Sequence, residues 1–79
     1  MIREKTLQLV VTFPNTMSAI TMERICKAQE LPGKLIPVPR AISASCGMAW
    51  LAPTEDRDRL EKATTEIGLS VEGWYYLML

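Results

Sequence analysis

The chain has no histidine, only two cysteines in 79 residues, no excess of charge of either sign and no long apolar run. Each shortage excludes something. Without histidine or a Cys-x-x-Cys pair, a zinc site would have to be built from carboxylates or completed by a second chain, so no metal and no cofactor is expected. Nine basic residues balance nine acidic ones, and a neutral chain has no overall field to draw in phosphate backbones or anionic lipid. Neither nucleic acid nor a membrane surface is an expected partner. The start, Met1-Ile-Arg-Glu-Lys5, is charged, and Gln8 interrupts the apolar stretch after it. That stretch is too short for a signal core or a membrane span. The expected location is therefore the cytoplasm, where Cys26 and Cys46 would be reduced thiols and not a structural bridge.

What is present fits one small folded domain over residues 1–79. Apolar residues make up 48% and charged residues 23%, well away from disordered compositions. A domain of this size buries only roughly 60 to 65% of its surface, which leaves no room for a deep active site. Between Thr6 and Phe13, Leu7, Leu9, Val11 and Phe13 alternate onto one face, which predicts a strand. Pro14-Asn15-Thr16 breaks it and offers helix caps. Ala19, Ile20, Met22, Ile25, Cys26 and Gln29 then follow a helical period to about Leu31, where Pro32-Gly33 stops the helix.

Lys34–Val38 contains Pro37 and reads as an edge strand, because a missing amide costs little there. Met48–Ala52 reads as a buried strand. A second helix is expected from Pro53-Thr54-Glu55-Asp56, with Thr54 as cap, Leu60, Ala63, Thr64 and Ile67 on its buried side, and Gly68 as its left-handed terminator. Val71–Leu79 is the last strand. The order β-α-β-β-α-β predicts an α+β fold of the ferredoxin-like kind, a four-stranded antiparallel sheet with two helices on one face and the first and third strands central.

The segment from Pro37 to Gly47, Pro-Val-Pro-Arg-Ala-Ile-Ser-Ala-Ser-Cys-Gly, sets a thiol in a Ser/Gly-rich turn, with Arg40 six residues before Cys46. A thiolate is the reactive form of cysteine, and an exposed turn near positive charge holds a thiol partly ionised. A right-handed crossover makes the first two strands parallel, so the loop leaving the second strand lies at the same sheet end as the start of the first helix. Cys46 should therefore neighbour Asn15 and Thr16, whose free amides and helix dipole favour an anionic sulfur.

The stretch Lys34-Leu-Ile-Pro-Val-Pro-Arg-Ala-Ile-Ser-Ala-Ser-Cys-Gly47 resembles the selenium/sulfur carrier protein-like family, small single-domain bacterial proteins. The likeness extends more loosely from Thr12-Phe13 to Glu72-Gly73-Trp74-Tyr75. It implies that Cys46 carries sulfur or selenium as a persulfide or perselenide between a donor and an acceptor protein, with Arg40, Ser43, Ser45 and Gly47 shaping its loop. The resemblance points to a carrier or accessory protein sooner than to a stand-alone enzyme, and leaves the question of catalysis open.

Each of these residues also has a plainer reading. Cys46 could be a small residue fitted into a hairpin loop, Arg40 could solvate an edge, and Ser43 and Ser45 could satisfy local backbone groups. Gly47 would supply a backbone angle that other residues resist. Cys26, beside Ile25, behaves as a small hydrophobe, and Glu23–Lys27 and Asp58–Lys62 are solvated helix pairs. If Tyr75 and Leu77 face the helices, then Trp74, Tyr76 and Met78 lie with Val10 on the open sheet face, an aromatic surface fit for a homodimer or a partner protein. The opposite register exchanges the faces. The alternative to a carrier is thus an assembly module whose thiol is incidental or redox-sensing.

Overall fold

The computed structural model describes residues 5–79, which form an α+β domain of two helices and a four-stranded antiparallel sheet. Strand β1 is Leu7–Thr12, α1 is Thr16–Ala28, β2 is Lys34–Pro37, β3 is Met48–Pro53, α2 is Arg57–Ile67 and β4 is Gly73–Met78. The sheet order is β2-β3-β1-β4, with β1 and β3 in the centre as expected. The β1–β3 register sets Leu9 opposite Ala52 and Val11 opposite Trp50. On the other side Leu9 opposes Tyr76 and Val11 opposes Trp74.

Alternation along β1 divides the core in two. Leu9 and Val11 point to the helices, where they pack with Phe13, Ala19, Met22 and Leu60. Val10 points the other way and packs with Ala49 and Ile42. The second face of the sheet is therefore not bare: the loop between β2 and β3 folds beneath it, burying Ile42 against Val10. This loop replaces water over the sheet centre, so Val10 is fully buried.

Several expectations are corrected here. Trp74 and Tyr76 share the face of Leu9 and Val11, and Met78 shares that of Leu7, whereas Val10 opposes Tyr75. The grouping of Trp74, Tyr76 and Met78 with Val10 on an open face thus fails, because the last strand pairs in the opposite register. A 3-10 turn at Thr54–Asp56 precedes α2, and Thr54 makes no capping bond. Asp56 instead accepts from Arg59 at 3.0 Å. Ile67, expected on the buried side, is 51% exposed, since α2 is ending there. Its terminator is as read: Gly68 is left-handed at φ 69° and donates its amide to Thr65 O.

Gly33 decides how β2 enters the sheet. Its φ of +131° lies where side chains are strongly disfavoured, and a Cβ there would collide with the Trp50 indole and approach Leu51 O to 2.6 Å. Only a glycine lets the chain cross Trp50 this closely.

Candidate functional site

Asn15 holds extended backbone angles and its side-chain oxygen accepts the Ser18 amide at 2.9 Å, which fixes the first turn of α1. Thr16, the first helical residue, faces the β2–β3 loop: its Oγ1 lies 4.0 Å from Cys46 Sγ. The crossover argument for this neighbourhood describes the geometry correctly. The loop is closed at its base by Val38 N–H donating to Gly47 O at 3.0 Å, and turns at Ile42 N–H to Pro39 O, also 3.0 Å.

Cys46 itself departs from expectation. It is only 4% exposed and belongs to the helix-side apolar cluster. The apolar neighbours that begin β3 and α1 pull it inward, which a turn-rich sequence does not reveal. Its sulfur is not isolated from polar groups, for the Met48 backbone amide donates to Sγ at 3.4 Å. One backbone amide and the hydroxyl of the first helical residue therefore lie beside the sulfur, and both are groups able to hydrogen-bond it.

The residue missed by sequence reading is Glu72. Its carboxylate accepts two hydrogen bonds from Ser45, from the amide at 3.0 Å and from the hydroxyl at 2.7 Å. These bonds hold the Glu72 carboxyl below the usual carboxylate range. Glu72 is itself tied to the end of β1 by its amide, which donates to Thr12 O at 2.8 Å. A residue 27 positions away thus latches the segment next to Cys46. No local pattern could have indicated it.

The other predicted site residues divide. Ser45 is in the latch. Ser43 and Arg40 are exposed and make no hydrogen bond or ion pair among the described residues, so the charge that was to act on the thiol is not joined to it. Gly47 lacks the unusual backbone angle expected of it: only Gly33 and Gly68 have positive φ among the glycines, and a Cβ on Gly47 would meet nothing within 4 Å. Cys26 lies in the same apolar cluster as Cys46, and burial pushes its thiol up to about 11. It is chemically quiet at neutral pH.

The architecture is thus that of a small α+β domain whose loop cysteine is set at a helix start and latched from a second loop. The putative Se/S carrier protein-like family matches residues 8–76, and the chain belongs to that family. No curated protein and no solved structure matches it. Among the described residues no helix is long and apolar enough to cross a membrane.

Proposed function

We propose that the protein is a sulfur or selenium carrier in which Cys46 accepts the atom from a donor protein and yields it to an acceptor. The observation that carries this reading is the sulfur's setting: the Met48 amide at 3.4 Å and the Thr16 hydroxyl at 4.0 Å lie beside Sγ in a protein of this family. Cys46 thiolate attacks the outer sulfur of a donor persulfide, R–S–SH. The new bond is Cys46 S–S, the donor's S–S bond breaks, and the donor leaves as thiolate R–S⁻. The exchange is redox-neutral, and it runs the same way for R–S–SeH. The Met48 amide then faces the charge as it is passed from one sulfur to the next.

Because Cys46 is buried, the donor must meet an opened loop. The Ser45–Glu72 latch is the contact to be released, since Glu72 and Ser45 are both exposed and can exchange their bonds with water or with a partner. The strand order β2-β3-β1-β4 supports the ferredoxin-like reading of the fold, and the chemistry requires a reducing compartment, in keeping with the cytoplasm.

One observation favours a second reading. A cysteine at 4% exposure inside an apolar cluster is what a packing residue looks like, and the domain would then be an assembly module with an incidental thiol. Incubation with a cysteine desulfurase and its substrate, followed by intact-mass and peptide spectrometry, separates the two. The carrier gains one sulfur on Cys46, reversible by reductant, and Cys46→Ser gains none. An unmodified Cys46 beside a persulfidated desulfurase refutes the carrier reading.

A further inference from the structure

The sheet has two edges, and they are treated differently. Strand β2 is four residues long and contains Pro37, two of the devices by which edges avoid pairing with other chains. Strand β4 has neither. It runs six residues, Gly73–Met78, and carries no charge and no proline.

The phase of its hydrogen bonds can be read from its end. Thr6 and Leu79 donate to one another's carbonyls at 3.1 and 3.0 Å. Antiparallel bonding alternates at every second residue, and the register pairs Leu7 with Met78, Leu9 with Tyr76 and Val11 with Trp74. The amides and carbonyls of Trp74, Tyr76 and Met78 therefore point away from β1. Among the described residues no strand pairs with them, and they are spaced evenly about Tyr76.

We propose that β4 pairs antiparallel with β4 of a second copy of this chain, about a two-fold axis at Tyr76. Tyr76 then opposes Tyr76 of the second copy, and Trp74 opposes its Met78. In this register every outward amide and carbonyl of the three residues meets a counterpart. A slip of two residues either way leaves one of the three unmatched within the strand, and a slip of one sets outward groups against inward-turned ones.

The side chains choose the same occupant. A cavity of about 510 Å³ lies between α2 and β4, lined by Thr64, Thr65, Leu69, Val71 and Trp74 among others. Met78 is 56% exposed on the same face of β4 as Trp74. The two-fold brings Met78 of the second copy alongside Trp74, a thioether against an indole, and by symmetry does the reverse. Projection and recess sit on one strand, which is the signature of a self-complementary interface. Near the axis Tyr76 is held by Arg57, whose Nη1 donates to its hydroxyl at 2.8 Å. Glu61 of the same helix offsets that guanidinium, so two of them can approach the axis. None of this uses the Cys46 loop, so the pairing stands or falls independently of the sulfur chemistry.

Sedimentation velocity over a concentration series, on the full chain, tests it. The expected result is reversible conversion from 8.9 kDa to twice that mass. Met78→Lys, which places a charge on an exposed edge position, should weaken the dimer at least tenfold with an unchanged circular dichroism spectrum. Under oxidation Tyr76→Cys should form an interchain disulfide with itself, since residues exchanging bonds in an antiparallel pair have Cα atoms about 5.5 Å apart. Tyr75→Cys should not. A chain monomeric throughout the series, a dimer indifferent to Met78→Lys, or a crosslink at position 75 in preference to 76 overturns the proposal.

Discussion

Replacing Gly33 by alanine tests the account of how β2 is seated. At φ +131° a non-glycine residue bears a backbone cost of about 1 to 3 kcal/mol. The added Cβ would collide with the indole of Trp50 and stand 2.6 Å from Leu51 O. Neither neighbour can yield easily: Trp50 is buried in the helix-side core, and Leu51 lies in β3, opposite Lys34. Overpacking of this kind adds about 1 to 3 kcal/mol. The expected loss is therefore at least about 2 kcal/mol, a fall in Tm of roughly 10 °C or more for a domain of this size. Thermal unfolding followed by circular dichroism and by tryptophan fluorescence measures it. Gly47→Ala is the matched control: no positive φ and open space around its Cβ predict a change within about 0.5 kcal/mol. Equal Tm values for the two variants would refute the reasoning.

Other outcomes follow from the latch and the buried thiols. Glu72→Gln keeps the shape but exchanges charge-assisted bonds to Ser45 for neutral ones, so alkylation of Cys46 in the folded protein should accelerate roughly two- to fivefold; an unchanged rate removes Glu72 from any gating role. Because the folded Glu72 carboxyl lies below its ordinary range, its contribution is complete above that range and is lost as pH falls through the lowered value. The Ser45 amide, which donates to Glu72, should therefore keep its NMR shift near neutrality and change it only in acid, as the carboxyl protonates. Cys26 behaves oppositely. Its thiol is raised from 9.0 to about 11, so the stability it adds is complete below pH 9.0 and declines as pH rises towards 11, which urea midpoints across that window would show. Invariant midpoints would mean that the thiol is not effectively buried.

The fold was legible because its signals are local. Alternation in Leu7–Phe13, the breaker Pro14 and Gly68 at a helix end each act within a few residues, and the crossover rule then sets Cys46 beside Thr16; the first helix, expected to reach about Leu31 and stop at Pro32-Gly33, instead ends at Ala28, with Glu30 left-handed at φ 55°. What could not be read depends on partners distant in the chain. The face shown by Trp74 and Tyr76 follows from their pairing with Val11 and Leu9, and alternation is equally satisfied by both registers. Cys46 looks exposed among serines and glycine, yet the apolar cluster at the starts of β3 and α1 draws it inward. Ser45 carries no mark of its bond to Glu72, and Arg40, conspicuous in sequence, is not joined to the thiol.

The pairing of β1 with β4 ties Leu7 to Met78 and Thr12 to Gly73, so the strand synthesised first among these elements waits for the one synthesised last. Until β4 pairs, β1 has β3 as its one strand neighbour, and the helix-side core lacks the cover of Val71 and Trp74. Closing the sheet then requires bringing the ends of this long loop together, which limits its rate. Over the same interval β1, which carries no charge and lacks its outer neighbour, is the edge most open to wrong partners. Rapid capture of β4 by β1 is thus a condition for reaching the native sheet.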